Sequence, residues 1–153
     1  MKKWLIKIPM TLFAAMFLLT ISAYFIFPIL NDIKAEKLAK EMLNTTPPNN
    51  TEIVEAISGC GNTGGTGNHT EVWIGLLVKS GLSKKELLKY YSDLYNYIEV
   101  YETAADGAGY PIIMQFIDDE FKSFENISNH DDYFIIIGRT ENAVSSSFDL
   151  RGH

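Results

Sequence analysis

Cys60 is the single cysteine of the chain, and the histidines are His69, His130 and His153. A thiol becomes a nucleophile only as its thiolate, which calls for a neighbouring base. His69, across a glycine-rich stretch, is the histidine best placed for that role. A thiol-dependent envelope enzyme built on Cys60 and His69 is therefore the alternative reading. Nothing in the spacing brings the two together, and no Asn or Asp occupies a recognisable third position. The favoured reading assigns no catalytic residue. A lone cysteine also excludes an internal disulfide and leaves the thiol free, buried or paired with another chain.

Gly59, Gly61 and Gly64 satisfy the spacing G-x-G-x-x-G. Dinucleotide binding needs a strand before such a run and a helix N-terminus after it to hold the pyrophosphate. The sequence supplies neither signal; more glycine follows and then a strand, so the stretch reads as a surface loop. Two acidic clusters, Asp118-Asp119-Glu120 and His130-Asp131-Asp132, carry oxygen ligands for a hard cation but lack alternating ligand spacing and a closing bidentate Glu. They read as solvated turns. The residues thus call for no cofactor and no metal. Sequons begin at Asn44, Asn49, Asn68 and Asn126, all in predicted loops. Four of the eight tyrosines fall within residues 90–97; Tyr91 and Tyr95 are expected in the core, with Tyr90 and Tyr97 at its rim.

The elements that must position these groups begin with an apolar run. Residues 8–30 carry no charge. As a helix they span roughly 35 Å, enough to cross a bilayer, and in hydrocarbon a helix satisfies every backbone polar group internally. Pro9 and Pro28 lie near its ends. A cleaved signal peptide is the rival, since Lys2, Lys3 and Lys7 form a basic head and Ile21-Ser22-Ala23 resembles a cleavage site. Cutting there would leave Tyr24-Phe25-Ile26-Phe27 as an exposed apolar end, so an uncleaved anchor is favoured. Lys34, Lys37 and Lys40 beyond the helix match the three lysines before it. The short head abutting the apolar run nevertheless places the N-terminus in the cytoplasm and the C-terminal domain outside.

The 153 residues are 46% hydrophobic, 21% charged and 12% aromatic, which excludes a disordered acidic tail and a disulfide-dense mini-protein. The head carries +3 and the chain beyond residue 31 carries −9. An acidic domain argues against nucleic acid as a partner, because phosphate neutralisation needs a basic face.

The expected organisation is a cytoplasmic head over 1–7, a transmembrane helix over 8–30, a helical stalk ending in a Pro/Asn linker over 31–51, and an extracytoplasmic domain over 52–153. Glu36 and Lys40 support the stalk as an i,i+4 pair, and Pro47-Pro48 end it. Residues 52–58 are of uncertain type. Val72, Ile74, Leu76 and Val78 alternate as a strand does. Ser83 and Glu86 form a capping box, and Leu87, Leu88, Tyr91, Leu94, Tyr95 and Ile98 make one helical stripe. Residues 97–103 and 110–117 read as strands, residues 121–124 as an edge, and residues 133–137 as a central strand buried on both faces. Residues 145–153 read as an edge or a docked end. The fold class is α+β, one main amphipathic helix on a mostly antiparallel sheet.

The basic head and single membrane helix, Cys60-Gly61 with Gly67-Asn68-His69, the stretch from Leu76-Leu77-Val78-Lys79-Ser80 to Tyr90-Tyr91-Ser92, and the ending Phe148-Asp149-Leu150-Arg151-Gly152-His153 resemble small, single-pass, membrane-anchored bacterial proteins of unknown function. That resemblance implies a cell envelope and supplies no activity or site residue. If the pattern recurs in such a family, the glycine-rich loop and the terminal Asp149-Leu150-Arg151-Gly152-His153 are the natural candidates for a shared surface. The expected function is that of a bitopic membrane protein displaying a small binding or interaction domain, with the bilayer, and an envelope protein, as partners.

Overall fold

The structure is a computed structural model and describes residues 2–63, 69–103, 121–127, 131–140 and 143–152. Its first element is a continuous helix α1, Lys2–Asn44, which passes through both prolines. Strands β1 (Thr51–Gly61) and β2 (Glu71–Ser80), helix α2 (Lys84–Ser92), and strands β3 (Ile98–Glu102) and β4 (Tyr133–Thr140) come next along the chain. They form a four-stranded sheet in the order β1-β2-β4-β3 with every neighbouring pair antiparallel. The architecture is α+β. The predicted strand at 110–117 and the cluster Asp118-Asp119-Glu120 lie outside the described residues, as do His130, His153 and residues 64–68 of the glycine-rich stretch.

Two layers of apolar side chains explain the sheet. On one face Ile74, Leu76, Val78, Val100, Phe134 and Ile136 pack against Leu87 and Tyr91 of α2 and Met42 of α1. On the other, Leu77, Ile135 and Ile137 pack against Phe121 and Phe124. The central strands are therefore buried on both sides, which accounts for the unbroken apolar run in β4.

Three local expectations change. Residues 52–58 belong to β1, whose register shifts between Ile53 and Glu55; a bulge there breaks the alternation that would have marked a strand. The helical stripe stops at Ser92, and Ile98 opens β3. Residues 121–124 are not an edge strand. Phe121 and Phe124 instead flank a turn leading into a 3₁₀ helix, Phe124–Asn126, which puts residues three apart on one side. Glu55 holds this segment in place, accepting hydrogen bonds from the backbone N–H of Lys122 at 3.1 Å and of Ser123 at 2.7 Å. Burial opposes the charge on Glu55, but those bonds prevail and keep its carboxyl below the ordinary value.

Helix α1 is divided by its surroundings. Among described residues it is long and apolar enough to cross a membrane, and Met10, Phe13, Met16, Phe17, Leu19 and Phe25 stand exposed. From Phe27 onward one face changes character. Phe27, Asn31, Ala35, Leu38 and Met42 recur at intervals of three and four, so they share a stripe, and this stripe is covered by the domain. The residues expected to form a stalk are helical and also line the core. Gly138 permits this approach, since a Cβ there would lie 2.8 Å from Met42 Sδ and 3.1 Å from Ile74 Cγ2.

Candidate functional site

Among the described residues, the densest polar arrangement lies where α1 meets the C-terminal tail. Residues 143–152 run alongside the helix, ending in a 3₁₀ turn, Leu150–Gly152. Asn31, the first polar residue after the apolar run, is fully buried. Its side-chain amide donates to Asp149 Oδ2 at 2.7 Å, and its Oδ1 accepts from the Val144 N–H at 2.7 Å. Asp149 is also fully buried. Its carboxylate is held by Arg151 through Nε at 2.9 Å and Nη2 at 2.8 Å, a bidentate pair. The same guanidinium reaches Asp32 Oδ1 at 2.5 Å and the Pro28 carbonyl at 3.1 Å. Below this network Phe148 stacks on Phe27 and meets Tyr24 edge to face, with both ring centroids 5.4 Å away.

The glycine-rich strand end joins from the other side. The Asn62 N–H donates to the Arg151 carbonyl at 3.1 Å, and the Thr70 N–H donates to Ser146 Oγ at 3.0 Å. A Cβ on Gly152 would stand 2.8 Å from the His69 carbonyl oxygen, so this position requires glycine for close approach. Gly59 does likewise for Trp73, whose ring lies 2.8 Å from where a Cβ would be. The two described ends of the glycine-rich stretch, at Asn62 and at His69-Thr70, and the C-terminal tail thus form one surface with the foot of α1.

Electrostatics make this surface a clasp. Burial opposes ionisation of Asp149, yet the bonds from Arg151 and Asn31 outweigh it and hold the carboxyl below its ordinary value. Both charges are already matched, leaving Asp149 without a lone pair aimed at a substrate.

Cys60 borders the same network but is not activated. It lies on β1 opposite Val72, half-buried, on the sheet face that α1 covers. Burial pushes its thiol up to about 12, with Arg151 pulling down and Asp32 and Asp149 pushing up. His69 turns instead to Glu71, with Nε2 3.3 Å from Oε1. A glycine-cradled phosphate site finds no support either. A strand does precede the glycines, but it is β1 itself, and the next element is β2 rather than a helix N-terminus. Among the described residues no group of three or more His, Cys, Asp or Glu gathers at a spacing that would hold a metal ion.

Sequence reasoning pointed to Asp149 and Arg151 as part of a terminal surface but missed Asn31 and Asp32. The available signal was positional, because Asn31 occupies the same helical stripe as Ala35 and Met42. The tyrosines behave largely as expected. Tyr91 is buried, Tyr97 is exposed, and Tyr90 donates from its rim position to the Thr46 carbonyl at 2.5 Å. Comparison with protein-family models, with curated proteins and with solved structures finds no match.

Proposed function

We propose that this chain is a bitopic membrane protein. Residues 8–30 span the bilayer, the basic head is cytoplasmic, and the acidic α+β domain is an interaction module held outside, in a fixed pose close to the lipid. The observation that carries this reading is the division of α1 into an exposed apolar half and a half that is core. An exposed surface built from Met10, Phe13, Phe17, Leu19 and Phe25 is poorly matched to water. The same rigid rod carries Ala35 and Met42 into the domain, so the pose of the domain follows the helix. The clasp of Asn31, Asp149 and Arg151 adds a second attachment at the point of emergence. A flexible tether would leave the domain free to tumble, and this construction does not.

Retention of the apolar segment is supported by the unbroken helix through residues 21–24 and by the packing of Tyr24 against Phe148. A thiol-dependent enzyme is disfavoured by the raised Cys60 thiol and by the partner His69 has taken. Kinship with small membrane-anchored bacterial envelope proteins belongs to the same proposal and rests on residue pattern.

An alkaline carbonate wash of membranes tests the span. The full-length chain should remain in the pellet, and recovery of the uncut chain in the supernatant overturns the proposal. Orientation is read by reporter fusions after the domain, where an extracytoplasmic reporter should be active and a cytoplasmic one silent.

A further inference from the structure

We propose that residues 144–150 of the C-terminal tail form a second bilayer contact, an arm lying in the interface of the leaflet from which α1 emerges, with Phe148 and Leu150 among the acyl chains. This inference rests on the proposed span of residues 8–30.

Depth along α1 is the first support. Phe148 packs on Tyr24 and Phe27, which precede the end of the apolar run at Leu30 by six and three residues. At 1.5 Å per residue the aromatic ring sits about 5–9 Å on the lipid side of that end. A side chain docked there cannot stay in bulk water when the helix beside it is in the membrane. Aromatic side chains concentrate at this boundary, where an apolar ring meets a wet rim.

The second support is what the tail exposes. Leu150 is 69% exposed and Val144 is 50% exposed, although the tail between them is bonded to α1. On α1 at the same depth Phe25, Ile29 and Leu30 are exposed as well. Between Val144 and Phe148 the tail has only hydroxyl side chains and no charge.

Charge placement is the third. Asp149 would be costly near hydrocarbon if left alone. It is wholly buried instead, and its carboxylate is matched by Arg151 and Asn31. Arg151 in turn donates to the Pro28 carbonyl and to Asp32, which holds the guanidinium at the end of the apolar run, at headgroup level. The arm therefore presents lipid with leucine, valine and phenylalanine, and its charges arrive already paired.

The test uses the full-length chain in phosphatidylcholine–phosphatidylglycerol vesicles, with Cys60→Ser as background. Nitroxide labels are placed singly at Phe17→Cys in the span, Leu150→Cys in the arm, and Leu94→Cys beside Met42, roughly 18 Å farther along α1. All three side chains are at least half exposed, so labelling spares the core. Collision with dissolved oxygen is compared with collision with a water-soluble nickel chelate. The arm predicts that the Leu150 label, like the Phe17 label, favours oxygen, while the Leu94 label favours nickel. A Leu150 label that behaves like Leu94 while Phe17 reads lipid overturns the arm and leaves the span standing. Shielding of Leu150 from both reagents means a protein neighbour covers it and also overturns the arm. A Phe17 label that favours nickel overturns span and arm together.

Discussion

Replacing Asp149 by alanine should release the C-terminal tail without unfolding the sheet. The carboxylate accepts from Arg151 Nε, Arg151 Nη2, the Arg151 N–H and Asn31 Nδ2. A hydrogen bond to a charged group is worth about 1.5–3 kcal/mol, and a buried donor left unpaired costs about 1–3 kcal/mol. Arg151 is 40% exposed and keeps Asp32, so it rehydrates and its share is discounted. Asn31 is fully buried and keeps for that amide only a 3.5 Å contact with the Ser145 carbonyl. The net loss is about 3 kcal/mol, or about a hundredfold in the local opening equilibrium. Native-state hydrogen exchange on the full chain in lipid nanodiscs reads this directly. The N–H groups of Asn62, Thr70 and Val144 report on the clasp, because each donates across it. Their protection should fall about a hundredfold while that of Ile136 and Leu76 in the sheet is unchanged. Unchanged protection at all three clasp amides refutes the clasp. Equal loss throughout the sheet refutes its independence from the core.

Acid should loosen the same contact. Because the folded-state carboxyl of Asp149 sits below its ordinary value of 3.8, its contribution is full above about pH 4 and is lost as pH falls through the folded value. Protection factors at Asn62 and Thr70 should decline there in the native chain and be flat in Asp149→Asn; Lys122 and Ser123, held by Glu55, should respond to acid in both. Gly138→Ala should destabilise the domain by about 1–3 kcal/mol, since the new methyl meets Met42 and Ile74. In a urea melt its cost should shrink when Met42→Ala is already present, and simple additivity would show that the two positions do not press on each other. Cys60, with its thiol pushed up to about 12 from 9.0, should carry about a thousandth of the thiolate of an ordinary cysteine and alkylate correspondingly slowly at pH 8. Reaction with iodoacetamide at the rate of a small free thiol would contradict the burial of that side chain.

Most local patterns with a period were legible, the over-extended stripe from Leu87 to Ile98 being the exception. The uncharged run of residues 8–30 can be little other than a long apolar helix, and the Ser83–Glu86 capping box opens α2 as written. Val72 to Val78 alternate into β2, and the apolar block of β4 announced a strand buried on two faces. These are near-neighbour constraints, set by side-chain period and backbone satisfaction within a few residues. The α+β class followed from their order.

Tertiary structure decided what no window of sequence contains. β1 was hidden by its bulge, and the turn at Phe121 and Phe124 gains its meaning from the sheet face it covers. The clasp joins residues separated by more than a hundred positions. Asn31 at the end of an apolar run is an ordinary boundary residue until Asp149 is brought against it, and Cys60 is a candidate nucleophile until burial raises its thiol. Charge and hydrogen-bond energies depend on who is nearby and how much water remains, and folding alone sets both.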